Sequence, residues 1–493
     1  MKRHLILLIF TIITGCTSDF EEINTNPNSP VNVDASYLLS SVIVNTAYKF
    51  TEEQIKSATG VPNRYITRVV HNADDTYRWD AEGWNYAFSI LIDNEDLLSK
   101  AIERENTHLE AVALIIKAYI FGTLTGLYGD IPFEEAFAAK EENYTPSYSR
   151  QELIYDTVMS YLKRANELLQ QEGNLASYAA NDPMFQGDAI KWRRFGNSLR
   201  IRFLMHISEK KPEAFDQIQD MLTETEKYPL IMDVSDNAAL PYLGINQSNS
   251  SPLGSYDGDF YDRRPSKVFV DFLKERDDPR LPLWVRPVID PSRGTVSQDS
   301  YVGLPIAVFG ASSYNGTSNH TSYETSNYSE FSGMFHQNSD ELFNAVLMNA
   351  AEIHFLLSEG MQQGKINVPG ESAESLYLKG ISASMEQYGT LDTALESGYF
   401  DDPLVVYNNT IKQILEQKWV SLLFVAGAET WFDHRRTGFP DFPFGPQSIR
   451  NEIPYRLPYP SDEATYNAEN YNEAIEHQQW ANDDNYEKMW ILK

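Results

Sequence analysis

Cysteine usage is the feature that most constrains this chain, because its 493 residues include a single cysteine, Cys16. No disulfide can form within the chain, so burial of apolar side chains must stabilise the fold, and a chain of this length can bury a large core. Cys16 follows a positive start at Lys2 and Arg3 and an apolar run over residues 5–13. That run is too short to span a bilayer, which takes about 20 residues. Residues 1–15 are therefore predicted to be a signal peptide.

The position of Cys16, directly after Thr14 and Gly15, resembles the lipobox of bacterial lipoproteins, in which the thiol is acylated. Each buried methylene contributes about 0.8 kcal/mol, and two or more chains give a stable anchor. We predict lipidation of Cys16, a tether over residues 16–36, and attachment to the outer membrane. The acidic residues Asp19, Glu21 and Glu22 resemble the surface-export signal of lipoproteins in the Bacteroidetes group, which implies exposure on the cell exterior. The alternatives are a solvated linker without export information and a secreted protein that retains its cysteine.

The charge of the chain restricts its partners. The formal net charge is −30, which argues against nucleic acid, since a phosphate backbone requires clustered lysines and arginines. Aromatic residues are frequent, with 29 tyrosines and 8 tryptophans. Each of these side chains combines an apolar ring with a polar group, so it suits core packing and the recognition of sugars or peptides equally well. Composition alone does not distinguish these uses.

Helical spacing of apolar residues recurs along the chain, whereas strand alternation is scarce, so the predicted fold class is all-α. The segment 111–128 is apolar nearly all round, and Lys117 at its middle favours a buried core helix over a membrane span. A second helix is predicted from a capping box of Ser149 and Glu152 to Gly173. Further helices are predicted over 191–206, 267–274, 343–357, 371–388 and 409–425. These segments form core-facing helical hairpins.

Irregular sequence dominates between residues 228 and 335, where Pro, Gly, Ser, Asn and Tyr rise and helical spacing becomes rare. Long irregular stretches inside a compact protein are usually binding loops or disordered segments. Residues 311–335 consist almost entirely of Ser, Thr, Asn, Gly and Tyr. We therefore predict long irregular loops in this part of the chain.

Two stretches combine aromatic rings with short polar groups and are predicted to contact a ligand. The residues are Tyr77, Arg78, Trp79, Asp80 and Trp84 in the first stretch, and Tyr314, Asn315 and Tyr323 in the second. A ring can stack on the face of a sugar or peptide, while Asn, Asp and Arg supply directional hydrogen bonds. The alternative for Trp84 is that it begins the following helix and packs in the core. The alternative for the second stretch is an insertion with no fixed role.

Catalytic and metal sites are not predicted. The nine histidines lack the spacing of a zinc site, and no cofactor motif is found. Asp257, Asp259 and Asp262 could bind calcium through hard oxygen ligands, or they form an exposed acidic turn. Ser160 and Lys163 match part of a serine-enzyme signature, but they lie within a regular amphipathic helix.

Motifs in order along nearly the whole chain resemble the SusD/RagB family of outer-membrane nutrient-binding lipoproteins. The motifs are Cys16 with residues 19–24, Tyr128-Gly129-Asp130-Ile131-Pro132, the segment 192–202, Asp278-Pro279-Arg280-Leu281, Gln417-Lys418-Trp419 and the segment 429–438. The chain departs from the family at Met489-Trp490-Ile491, where a paired tryptophan is commoner.

The resemblance implies a single α-helical domain over residues 37–493, with tetratricopeptide-like hairpins as scaffold and long ligand-facing loops. It implies a binding subunit rather than an enzyme, with an oligosaccharide or peptide as ligand. It also implies a partner, a SusC-like TonB-dependent β-barrel transporter that the lipoprotein covers as a lid. Arg435 and Arg436 are expected to brace helices through ion pairs and contacts with Trp431. The alternative functions are a secreted lipid-anchored hydrolase and a helical-repeat adaptor that binds only proteins.

Overall fold

Helices make up most of the regular structure in the computed structural model, which describes residues 33–56, 58–70, 74–79, 81–288, 300–307, 328–425 and 428–493. Cys16 and the predicted signal peptide lie outside the described residues. The α-helices are α1 (Ala35–Lys56), α2 (Asn85–Glu103), α3 (Thr107–Tyr128), α4 (Gln151–Leu168), α5 (Ala189–Ile207), α6 (Ala214–Thr223), α7 (Lys267–Glu275), α8 (Leu281–Trp284), α9 (Ala350–Gln362), α10 (Ala373–Gln387), α11 (Leu391–Ser397), α12 (Ile411–Ser421), α13 (Glu429–Thr437), α14 (Glu463–Tyr466) and α15 (Ala468–His477).

The described strands are short and pair only in twos. They are β1 (Ile66–Arg68), β2 (Ile131–Pro132), β3 (Tyr148–Ser149), β4 (Ala238–Pro241), β5 (Arg263–Pro265), β6 (Val285–Arg286), β7 (Glu330–Phe331) and β8 (Asn344–Met348). The antiparallel pairs are β1 with β5, β2 with β3, β4 with β8 and β6 with β7. These pairs fix connections between helices and form no layer of their own, so the all-α class is confirmed.

Consecutive helices pack as hairpins. Helices α1 to α6 each contact the next one along the chain, while α9, α10 and α12 form a second group that meets the first through α5. The helical-hairpin scaffold expected from apolar spacing is therefore present. The stretch between residues 228 and 335 contains only short elements within its described part, as predicted.

Helix α3 lies at the centre of the first group. It is long and apolar enough to cross a membrane, but 94% of its most apolar window is buried inside the protein. The side chain of Asn106 caps its N-terminus by accepting a hydrogen bond from the Leu109 amide. Lys117 forms an ion pair with Glu95 at 2.6 Å and lies over the Tyr161 ring. The prediction of a buried core helix is confirmed.

The predicted capping box at the start of α4 is wrong. The helix begins at Gln151, and its N-cap residue Arg150 makes no side-chain capping bond. Ser149 instead belongs to β3, and its hydroxyl accepts a hydrogen bond from the Glu134 amide at 3.3 Å. Pairing with β2 therefore draws Ser149 out of the helix. The helix also ends at Leu168, before Gly173.

The helix predicted over residues 343–357 is wrong in its first half. Residues Asn344–Met348 form β8 against β4, and α9 begins only at Ala350. Its start is set by Asn349, whose side chain accepts a hydrogen bond from the Glu352 amide at 3.0 Å. A short apolar run fits a buried strand and a buried helix equally well, so spacing alone did not locate this boundary.

A network of buried ion pairs joins helices α5, α9 and α13. Arg202 donates to Glu352 through Nε at 2.6 Å and through Nη2 at 2.5 Å. The same guanidinium lies 3.8 Å from Glu429. The Glu429 carboxylate also forms a hydrogen bond with His206 Nε2 at 2.8 Å. Burial opposes the charge of Glu429, but His206 and Arg202 outweigh burial and lower the pKa of Glu429 to about 2. The Glu429 carboxylate is therefore held ionised inside the scaffold.

Arg435 and Arg436 brace helices as expected. The Arg435 guanidinium lies 4.5 Å from the Trp431 ring centroid and donates to the Gly126 carbonyl at 2.9 Å. Arg436 forms a bidentate pair with Glu359 at 2.6 and 2.9 Å. Bidentate arginine–carboxylate pairs are both strong and directional. Both arginines thus tie α13 to other parts of the scaffold.

Candidate ligand-binding cleft

The first predicted ligand stretch is divided between the core and the surface. The Tyr77 ring is buried beneath the Arg64 guanidinium, 4.6 Å from its centroid. Trp84 is buried at the N-terminus of α2 and packs edge-on against Tyr128 at 5.1 Å. A ligand would have to displace this packing to reach either ring. Trp84 thus lies at the start of α2 and packs in the core, as in the alternative interpretation of this residue. Tyr77 is likewise packed in the interior.

Arg78 and Trp79 remain accessible. Arg78 is exposed, whereas Trp79 is half-buried and packs edge-on against Trp431 at 5.7 Å. The indole nitrogen of Trp79 donates to the Asp74 carbonyl at 3.2 Å, which fixes the ring against the scaffold. Asp80 lies outside the described residues. Of this stretch, Arg78 and part of the Trp79 ring can meet a ligand.

The second predicted stretch, with Tyr314, Asn315 and Tyr323, lies outside the described residues. The residues that flank it are described. On one side Ala307 accepts a hydrogen bond from the Gln447 amide at 3.0 Å, and on the other side the Ser329 amide donates to the Val302 carbonyl at 2.8 Å.

One loop contacts described residues beside both stretches. We call residues 442–450 the bridging loop. Its Ile449 amide donates to the Thr76 carbonyl at 3.3 Å, beside the first stretch, and its Gln447 amide bonds Ala307, beside the second. The bridging loop thus contacts Thr76, beside the first stretch, and Ala307, the last described residue before the second stretch.

A cleft of about 550 Å³ lies between the bridging loop and α7. Its volume falls in the range of about 300–1,000 Å³ that is typical of small-molecule sites. The cleft is lined by Lys267, Val268, Asp271, Phe272, Glu275, Arg276, Pro305, Ile306, Glu416, Pro443, Phe444, Gly445 and Pro446. The lining joins apolar rings and prolines to five charged side chains.

Local sequence explains how the cleft forms. The Ser266 hydroxyl caps α7 by accepting a hydrogen bond from the Phe269 amide at 3.2 Å, and Phe269 with Leu273 then buries one face of the helix. The other face presents Phe272 to the cleft. On the opposite wall, a Cβ atom at Gly445 would collide with the Ile306 carbonyl oxygen. Only glycine lets the bridging loop approach this closely.

Two phenylalanines supply rings, but they differ in availability. Phe272 packs edge-on against Trp419 at 5.4 Å, and the Arg276 guanidinium covers it at 3.5 Å from the centroid. Phe444 is half-buried, packs partly against the hydrophobic core and lines the cleft. Phe444 can therefore stack on a ligand, while Phe272 positions Arg276.

Arg276 and Glu416 supply charged groups to the cleft, and Nη1 of Arg276 donates to the Phe272 carbonyl at 3.1 Å. Arg276 is 9% exposed, and within the described residues its buried Nε has no hydrogen-bond partner. Glu416 makes one long ion pair, 3.7 Å to Lys412. Burial raises the pKa of Glu416, against the opposing effect of Lys412 and Arg276. Together they offer a donor and an acceptor beside an available ring, which suits adjacent hydroxyl groups.

The calcium alternative is not supported. Asp257 pairs with Arg263 at 2.5 Å, and Asp262 pairs with Arg68 at 2.8 Å, so arginines already neutralise two of the three carboxylates. Asp262 is also buried, so the description as an exposed turn fails for that residue. Across the described ranges, no group of three or more His, Cys, Asp or Glu side chains could hold a metal ion.

The structure combines a scaffold of helical hairpins with a cleft lined by rings and charged groups. The profile of the SusD-like family, described as "Starch-binding associating with outer membrane", matches residues 27–460. The chain belongs to the SusD-like family.

Solved structures share this fold. A SusD homologue from Bacteroides fragilis NCTC 9343 has a TM-score of 0.80 at 22% identity, with 94% of this chain and 100% of that chain covered. A SusD homologue from Bacteroides uniformis ATCC 8492 has a TM-score of 0.75 at 23% identity, covering 93% and 99%. A chitin-binding SusD homologue from Flavobacterium johnsoniae has a TM-score of 0.76 at 20% identity, covering 93% and 99%. A comparison with curated proteins found no match.

Proposed function

We propose that this chain captures an oligosaccharide at the outer membrane and delivers it to a SusC-like TonB-dependent barrel transporter. The single observation that carries the proposal is the cleft, where Phe444 offers a stacking face beside the donor Arg276 and the acceptor Glu416. Family membership supports the membrane location and a binding role. A peptide is the second ligand class, since rings and charged groups also suit peptide side chains. In this proposal residues 37–493 act as one binding domain.

Binding without turnover is the expected result. The purified protein should be retarded in gels that contain soluble starch or chitin derivatives, because the cleft binds saccharides, and the saccharide should be recovered intact by mass spectrometry. Peptides form the comparison arm. Release of shortened saccharide or cleaved peptide would identify a hydrolase instead. Recovery of bound proteins without retardation by any saccharide or peptide would identify an adaptor.

The location and partner are tested in the native membrane. If Cys16 is acylated, the protein should incorporate a fatty-acid analogue. In a separate experiment, purification of the protein from detergent extracts should also recover a large β-barrel protein. The Cys16→Ala variant should carry no label, since it lacks the thiol that is acylated. Equal labelling of the two proteins would contradict the anchor. Reproducible recovery of the unmodified protein alone would contradict the transporter partnership. Protease treatment of intact cells distinguishes exterior from interior exposure.

A further inference from the structure

The lining of the cleft contains more carboxylates than cationic side chains. Lys267 forms an ion pair with Asp271 on the rim, and Arg276 lies 3.8 Å from Glu275. Glu416 is the remaining charge of the lining. The cleft therefore contains one carboxylate more than its lining cations can pair.

The surroundings of Glu416 make that carboxylate receptive to a cation. Its side chain is 20% exposed, and its partner Lys412 is held 3.7 Å away on a side chain that is 52% exposed. Asp441 adds further negative charge beside it. A partly buried carboxylate loses hydration, and a hydrogen-bonded cation compensates for that loss. Arg276 also favours the charged form of Glu416, while Lys412 supplies this compensation only weakly, because it is distant and solvated.

We propose that the cleft selects saccharides that carry protonated amines, and that Glu416 binds the ammonium group. The proposal rests on the function proposed above and specifies its ligand class as oligosaccharides of amino sugars with free amines. The ammonium group donates to Glu416, and the Phe444 ring, which lines the same cleft, can attract a cation through its face. The net charge of −30 further attracts cationic ligands and repels uronic acids.

Three oligosaccharides of equal length test this selectivity. The probes are oligomers of glucosamine, N-acetylglucosamine and galacturonic acid, titrated calorimetrically at low salt and at a pH that keeps the amines protonated. The glucosamine oligomer should bind about tenfold more tightly than the neutral oligomer, and the galacturonic acid oligomer should bind least. Added salt should reduce the preference, because screening weakens charge pairing.

Matched variants assign the preference to one carboxylate. Glu416→Gln should lower the ratio of glucosamine to N-acetylglucosamine affinity about tenfold, and binding of the neutral oligomer should persist because an amide oxygen still accepts hydrogen bonds. Glu396→Gln, an exposed residue on α11, should leave the ratio unchanged. Thermal melting of both variants reports on their folding.

The outcomes separate selectivity from binding. If the neutral oligomer binds and the glucosamine oligomer binds no more tightly, or if Glu416→Gln preserves the preference, the selectivity proposal is overturned while the proposed function stands. If none of the three oligomers binds while soluble starch retards the protein, the selectivity proposal is overturned and the proposed function stands. If no saccharide binds at all, both proposals are overturned.

Discussion

Replacing Arg202 by methionine should lower the free energy of unfolding by about 3–5 kcal/mol, because the change leaves Glu352 buried without its cation. Arg202 is fully enclosed between α5 and α9 and donates to Glu352 through two nitrogens and to the Leu347 carbonyl at 2.9 Å. Methionine retains most of the apolar volume but none of the donors. Since domains are stable by about 5–15 kcal/mol, this loss should be visible as a large fall in the urea midpoint.

A surface arginine provides the matched control. Arg164 pairs with Glu110 at 3.4 Å, and its side chain is 53% exposed, so Arg164→Met should change stability by less than about 1 kcal/mol. Adding Glu352→Leu to the Arg202→Met variant should recover part of the loss, because it removes the unpaired carboxylate. A midpoint for Arg202→Met no lower than that of Arg164→Met would show that the buried network does not stabilise the scaffold.

Replacing Phe444 by alanine should weaken saccharide binding by about 2 kcal/mol, which is about thirtyfold in Kd. Phe444 lies on the bridging loop, packs partly against the core and lines the cleft, so the part of its ring that faces the cleft can contact a sugar ring. The melting temperature should change little, since the ring is only half-buried. Calorimetric titration with the oligosaccharide that is retarded most strongly measures the change.

The control for this variant is Tyr466→Ala. Tyr466 is a highly exposed aromatic residue on α14, and it does not line the cleft. Its loss should leave the affinity unchanged. Equal affinities for the parent protein, Phe444→Ala and Tyr466→Ala would remove the cleft as the binding site. If Phe444→Ala lowers the melting temperature enough to explain the weaker binding, the ring stabilises the fold and is not shown to contact the sugar.

Helical spacing predicted much of the scaffold because each core-facing helix repeats its own apolar stripe. The predicted segment 191–206 corresponds to Ala189–Ile207, and 267–274 corresponds to Lys267–Glu275. Boundaries that depend on distant partners were not predictable in this way. Ser149 has the sequence of a capping residue, yet pairing between β2 and β3 determines its conformation. The partner of β8 likewise lies about a hundred residues away, in β4.

The cleft could not be predicted from spacing, because its lining comes from four separated parts of the chain. In the sequence, Arg276 and Glu416 cannot be distinguished from the charged residues on the exposed face of an amphipathic helix. Only the fold brings them into the same cleft. The run Pro443-Phe444-Gly445-Pro446 carried a usable signal, since an aromatic residue among helix-breaking residues predicts an exposed ring on a loop. Trp79 was predicted to contact a ligand, but its ring also packs against Trp431. Because Trp431 is far away in sequence, this contact could not be predicted from the local pattern.

The central claim is that the cleft between α7 and the bridging loop holds the saccharide. The most direct test is a crystal structure of the protein with the oligosaccharide that is retarded most strongly. The account predicts a sugar ring against Phe444, with polar groups of that sugar bonded to Arg276 and Glu416. A saccharide bound elsewhere on the protein, with the cleft free of sugar, would contradict the account.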